Sequence, residues 1–281
     1  MLAYVKADLD SVIEMYLGRP SHCVLVLDIP TPFLDETLPP LHEVSMVISA
    51  LNSICKHLLL YVNPFIGTHS DILTKIPILV PLYKRGLVID YKSTPRVKAS
   101  IHTQGLHNTL TIEVANPNNL GTTIVFSIPR TCDAPPILTP SALYVYYLTD
   151  SSSRALLRQG FTATHLNIAT ILRYTTPHLA IVSLSKCISG DGPIFGYPEY
   201  IDTAFFVGKP HLIDIALALC LGYTLHDIYF VKLINDAHNL NKLFQLANHF
   251  VKSITTCRKV KRHSLYHYHR RLLITKADLH T

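Results

Sequence analysis

Charge is what this sequence has least of. Lys, Arg, Asp and Glu make up 16% of its 281 residues, against the quarter or so of an ordinary soluble domain. Hydrophobic residues reach 48%. A chain of this length can bury enough apolar surface to fold without disulfides or metals. Its surface, however, is poor in the groups that keep an isolated protein in water. Either it crosses a membrane, or partners cover much of its surface. A second absence argues against the membrane. The most apolar runs, residues 44–54, 58–62 and 212–221, are each broken within about a dozen residues by Lys, His or Asp, and a spanning helix needs roughly 20. Residues 1–10 carry Lys6, Asp8 and Asp10 and lack the apolar core of a signal peptide. The expectation is an intracellular protein in a reducing compartment, with no membrane contact.

The cysteines lack a pattern. Cys23, Cys55, Cys132, Cys187, Cys220 and Cys257 are widely spaced, and no two form C-x-x-C. They are expected to be buried free thiols, with neither a disulfide framework nor a zinc site. Catalytic signatures are missing as well. Ser189-Gly190-Asp191-Gly192 is without the Lys-Ser/Thr of a phosphate-binding loop, and neither G-x-S-x-G nor H-E-x-x-H occurs. Asp28 and Asp90 each close a β-branched run, a position that carries chemistry in many α/β enzymes. With no phosphate loop beside them, both are read as strand-end turns. No cofactor is implied.

What is present is a fold of two textures, with no internal repeat. Helices are predicted over residues 7–17, stopped by Gly18 and Pro20, and over 41–60, where Val44, Val47, Ile48, Leu51, Ile54, Cys55 and Leu58 form one stripe. Residues 22–28 read as a buried strand, and residues 29–40, with four prolines, as a loop. Residues 76–83, 86–92, 96–103, 109–115 and 122–128 read as consecutive strands. Val97, Ala99 and Ile101 share one face, and Leu110, Ile112 and Val114 alternate in the same way. Past a Pro-rich hinge (Pro129, Pro135, Pro136, Pro140), helices are predicted at 151–158, 164–174 and 210–221, with a strand at 179–185. Thr224 to Asp227 resembles a helix-start box. The fold class expected is α+β: an antiparallel meander or small barrel in the first half and an α-rich second half. Its parts would be a trunk (1–135), an α-rich domain (136–255) and a basic tail (256–281).

The charge that does exist is unevenly placed. Residues 1–236 carry a net −2 and residues 237–281 a net +8, which together give the chain its +6. The basic residues are Lys242, Lys252, Arg258, Lys259, Lys261, Arg262, Arg270, Arg271 and Lys276, interleaved with Tyr266 and Tyr268. This pattern fits contact with nucleic-acid phosphate. It fits equally a solvated surface or an acidic partner subunit. Cys257, His263, His267 and His269 lie among these cations, which would repel a divalent metal, so no metal site is expected.

Two stretches resemble known families. Gly86 to Tyr91, followed by residues 96–105, resembles the sugar-binding hairpin of the dUTPase family. That resemblance implies that Asp90 holds a deoxyribose hydroxyl and Tyr91 packs under the sugar, in a nucleotide-binding enzyme or an inactive relative. Ile78-Leu79-Val80-Pro81-Leu82-Tyr83, with the strands that follow it to Ile128-Pro129, is similar to the triplex subunits of herpesvirus-type capsids. This second resemblance implies a structural role in a virion shell and the host nucleus. Low charge, high apolar content and no catalytic constellation favour the second class: a non-enzymatic subunit of an obligate assembly, its partners other subunits and, through the tail, possible contact with nucleic acid.

Overall fold

The structure is a computed structural model that describes residues 2–31, 35–103, 106, 108–131, 137–189, 197–254 and 257. From the N-terminus the elements run β1 (Leu2–Val5), α1 (Leu9–Leu17), β2 (His22–Leu27), α2 (Leu41–Ile54), β3 (His57–Tyr61), α3 (His69–Lys75), α4 (Leu79–Lys84) and β4 (Val88–Ile89). The hairpin β5 (Arg96–Thr103) and β6 (Asn108–Ala115) follows, then β7 (Thr122–Ser127), β8 (Arg130–Thr131) and β9 (Ile137–Leu138). Next come α5 (Pro140–Tyr147), α6 (Ser151–Leu157), α7 (Phe161–Tyr174), β10 (Leu179–Ser183), β11 (Lys186–Ser189), β12 (Tyr197–Tyr200) and β13 (Phe205–Gly208). The described helices end with α8 (Pro210–Cys220), α9 (Phe230–Ile234) and α10 (Ala237–Ser253).

Among the described residues, seven strands form one sheet in the order β4-β3-β2-β7-β10-β13-β1. Strands β4 to β10 are parallel, while β13 runs antiparallel to both β10 and β1. Both faces are covered, which is why these strands are continuous aliphatic runs rather than alternating ones. Val24, Val26, Val125, Ala180 and Val182 point into one apolar layer, with α5, α7, α8 and the β5–β6 hairpin. Cys23, Leu25, Leu27, Ile124, Phe126, Leu179 and Ile181 point into the other, with α1, α2 and α3. Close packing of β2 on β7 needs a glycine at their start: a Cβ on Gly121 would sit 2.6 Å from the His22 carbonyl oxygen.

The antiparallel first half is therefore corrected. The main sheet is mixed, with a parallel centre, because strands buried on both faces pair through crossover segments rather than tight turns. Residues 76–83 are not a strand; they enter α4, where Pro81 falls in the first turns that tolerate proline. Helix α2 stops at Ile54, and the leucines beyond it form β3. Strand β4 pairs in parallel with β3, and β5 pairs with β6, so β4 and β5 do not form a hairpin with each other. The β5–β6 pair is antiparallel with one buried face, as its alternation predicts: Ala99, Ile101, Ile112 and Val114 are buried. The sheet takes strands from both sides of residue 135, so the expected trunk and α-rich domain share one core.

The cysteines are corrected too. Cys23 is bonded to Cys55, and Cys220 to Cys257. Cys187 is free and buried, as expected of all six, and Cys132 lies outside the described residues. Nothing in the spacing announces these pairs: β2 lies beside the end of α2, and the segment after α10 returns to the end of α8.

One core histidine makes stability depend on pH. His165 on α7 is fully buried among the rings of Phe161, Tyr229 and Phe230. Its Nδ1 accepts the Phe230 amide at 3.2 Å. Burial, with a smaller contribution from His226, pushes its pKa down to about 3. The unfolded chain, with an ordinary histidine near 6.5, then binds the extra proton, so folding is fully favoured above that value and weakens as pH falls toward 3. Each pH unit inside this window is expected to remove up to about 1.4 kcal/mol. Urea midpoints at several pH values check it: His165→Gln should flatten the acid limb, and an unchanged slope would reject this histidine as its source.

Candidate functional site at the switch point

The chain builds β2, β3 and β4 in one direction, then returns to add β7 and β10 on the other side of β2. In open α/β sheets of this kind, ligands bind outside the carboxyl ends of the strands where the order reverses. Here that place is the mouth between β2 and β7. Three neighbouring strands leave the sheet there through proline: Asp28-Ile29-Pro30 after β2, Val62-Asn63-Pro64 after β3, and Ser127-Ile128-Pro129 at β7. Proline ends strand pairing and rules out the glycine-rich turn that a phosphate needs.

An ion pair occupies the mouth. Asp28, the residue after β2, faces Arg130, the first residue of β8, and both side chains are wholly buried. The Arg130 Nε lies 3.0 Å from each Asp28 carboxylate oxygen, and its guanidinium also donates to the Thr37 carbonyl at 2.6 Å. Asp28 accepts two further bonds, from the Tyr147 hydroxyl at 2.6 Å and the Ile128 amide at 3.1 Å. Burial, and then the Asp28 charge, pushes the Tyr147 hydroxyl well above its ordinary pKa, so it stays a donor. A buried carboxylate with this many donors is a satisfied one.

A second cation closes the adjoining mouth beside β3. Arg154 on α6 donates to the carbonyls of Asn63, Pro64 and Tyr146, with its guanidinium over the Phe65 ring. The Asn63 amide and the Tyr61 hydroxyl both donate to the Tyr147 carbonyl at the end of α5. A cation and two neutral donors thus meet the negative end of that helix. Burial lowers the Arg154 pKa to about 10, which leaves it charged at neutral pH. Nearby, Lys186 donates to the Glu36 carbonyl, and the buried Glu43 accepts from Ser185. The strands β8, β9, β11 and β12 form a small separate sheet, which holds Arg130 and Lys186 in place.

The sequence reading placed functional residues elsewhere. Asp90 sits at the carboxyl end of β4, at the sheet edge. Its carboxylate accepts from the Ser93 amide and hydroxyl, and its carbonyl from Thr94, which is a turn. The Tyr91 hydroxyl donates to the Glu113 carbonyl, and Arg96 lies over its ring. Lys252 is exposed near the end of α10. Arg258, Lys259, Lys261, Arg262, Arg270 and Arg271 lie outside the described residues, as do His263, His267 and His269. Cys257, the remaining member of that metal-like set, spends its sulfur on Cys220. Sequence reasoning took Asp28 for a turn and passed over Arg130. The proline exits of three strands are the signal that would have located both.

Asp28 and Arg130 are enclosed and paired with each other, while Arg154 and Lys186 donate to backbone carbonyls and Glu43 accepts from Ser185. Cys187, the free cysteine among the described residues, is buried, and burial pushes its thiol up to about 12, far from a nucleophile at neutral pH. Among the described residues no group of three His, Cys, Asp or Glu side chains is placed to hold a metal ion, and no helix is long and apolar enough to cross a membrane. No known protein family matches the chain, and no curated protein does.

Proposed function

We propose that this chain is a non-enzymatic subunit of an obligate assembly, with a capsid-like shell in a virion and host nucleus as the form its triplex resemblance favours. The observation that carries the reading is the sealed switch point: where a sheet of this topology would take a ligand, the chain has put its own Asp28–Arg130 pair. Surface composition supports it. Met15 on α1, Met46 on α2, Tyr174 on α7 and Leu246 on α10 are each more than 40% exposed, so apolar side chains face outward from both helical layers. Single exposed residues are ordinary; their meaning here comes from a surface with little charge to offset them.

The second reading, a nucleotide-handling enzyme centred on Asp90 and Tyr91, has the topology in its favour, since Asp90 lies at the carboxyl end of a parallel strand. Against it, both side chains are engaged in local structure. Two measurements separate the readings. Light scattering on the natively isolated protein should give a mass above one chain, and its interfaces should bury more than about 2,000 Å². A thermal-shift screen with dUTP and other nucleotides plus Mg²⁺ should show no shift. A stable monomer that nucleotides stabilise, with the effect lost in Asp90→Asn, would replace the first reading with the second.

A further inference from the structure

The β5–β6 hairpin is a sheet of two strands apart from the main one, so each strand has an outer edge. Its register shows which backbone groups line those edges. On β5 the His102 amide donates to the Asn167 side chain, whose own amide donates back to the His102 carbonyl. The backbone of His102 therefore faces away from β6. By antiparallel alternation so does that of Lys98 and Ser100, and on β6 that of Thr109, Thr111, Glu113 and Ala115. Two bonds agree: the Ala115 amide donates to the Leu148 carbonyl, and the Glu113 carbonyl accepts from Tyr91.

The β6 edge is thus closed at one end and open at the other. Among the described residues, nothing takes the outward amides and carbonyls of Thr109 and Thr111. Both residues are exposed, and Leu110 between them is 44% exposed, on the face where Ile112 and Val114 are buried. The open stretch, Thr109-Leu110-Thr111, reads the same in both directions and carries no charge.

We propose that this edge pairs with the same edge of a second copy, antiparallel about a twofold axis at Leu110. The pairing deepens the assembly reading, on which it rests for a partner to exist, by naming another copy of this chain. Thr109 then faces the second copy's Thr111, and the reverse. Two amides and two carbonyls from each copy make four hydrogen bonds. Leu110 meets its counterpart at a Cα separation of ~4.5 Å, which covers its exposed side chain. The contact is self-complementary, as a twofold interface must be, and no like charges oppose each other along it. Glu113, held by Arg96 of its own chain, falls opposite the position before Asn108, where β6 begins. The closed end of each edge therefore lies past the paired stretch. The β5 edge does not offer a further addition. Asn167 already fills His102, and Arg96 and Lys98 stand exposed along the rest, charges that keep other strands off an edge. Pairing stops at two copies.

Light scattering of the full chain over a concentration series reads the pairing. The unaltered protein should show twice the mass of one chain, or a multiple of that. Thr109→Pro with Thr111→Pro removes two outward amides and no ladder bond to β5, a place where an edge strand tolerates proline. It should halve the mass. Ser100→Pro, the same change on the β5 edge, should leave it unchanged. Leu110→Cys should form a disulfide-linked dimer with glutathione disulfide as oxidant, because ~4.5 Å lies within the Cα separation that a disulfide spans. Adding Thr111→Pro should abolish that cross-link. A mass above one chain that both prolines leave intact, with no cross-link through residue 110, would overturn the pairing and leave the assembly reading standing. A single-chain mass at every concentration would overturn both. Equal loss from Ser100→Pro would move the seam to β5 and overturn the twofold at Leu110. A cross-linking dimer that dilutes into folded monomers would uphold the pairing and remove only the obligate character of the assembly.

Discussion

Asp28→Ala is expected to destabilise the protein by about 3–5 kcal/mol, because it leaves the Arg130 guanidinium buried without its counter-charge. The loss should appear as a lower urea midpoint at an unchanged slope. The cost comes from what remains rather than from what is removed. Arg130 keeps its bond to Thr37, but the two Nε contacts to the carboxylate disappear, and the Tyr147 hydroxyl and the Ile128 amide each lose an acceptor. Removing both charges is a different experiment. In Asp28→Leu with Arg130→Met no ion is left to desolvate, and most of the loss should be recovered, because buried pairs often exchange for apolar side chains at little net cost. A coupling of several kcal/mol between the two sites is therefore expected in the double-mutant cycle. If Asp28→Ala costs under about 1 kcal/mol, the pair behaves as a surface pair does, water reaches the switch point, and the sealed-site reading fails.

Reduction of either disulfide is expected to produce a loss of similar size, and reduction of both about twice that. The bonds join residues 32 and 37 positions apart. Closing loops of that length removes roughly 3–4 kcal/mol of unfolded-state entropy each. Thermal unfolding with and without reductant should differ accordingly, and Cys23→Ala with Cys55→Ala should reproduce the part due to the bond beside β2. A direct count decides whether the bonds exist in the native protein. The chain has six cysteines. With Cys23, Cys55, Cys220 and Cys257 paired, denatured unreduced protein should present Cys132 and Cys187 alone to a thiol reagent. All six reacting would restore the free thiols and the reducing compartment read from the sequence. Two reacting would point instead to bonds that persist once the protein has left a reducing compartment, as on a virion.

Much of the local structure was legible because it follows from periodicity. The aliphatic runs at residues 22–28 and 179–185, the alternation in β5 and β6, and the proline at the start of α8 each announce their element. What failed was pairing. A continuous aliphatic strand states that both its faces are buried but does not name its neighbours, so β7 read as the next strand of a meander rather than the partner of β2. Leu58 misled in another way. It continues the stripe of α2, and Cys55 and Lys56 give no helix stop, yet the leucines after them pair with β2. The run Ile78 to Tyr83 has strand composition and helical geometry, since its contacts with the α3 side of the core outweigh its propensity. The switch-point pair was invisible for a plainer reason. Asp28 and Arg130 lie about a hundred positions apart, and only the parallel register of β2 and β7 brings the ends of those strands side by side.

The sheet ends in very short strands. One outer strand, β4, has two residues, and the other, β1, has four. An edge of that length offers a visiting strand few amides and carbonyls to pair with, which is how sheets avoid growing by accretion. A partner that meets this protein at the main sheet therefore finds its grip on the helices and on shape, since neither edge offers the run of pairing that an added strand uses. Contacts of that kind close at a set number of copies when their symmetry closes, whereas strand addition at an open edge has no built-in stopping point.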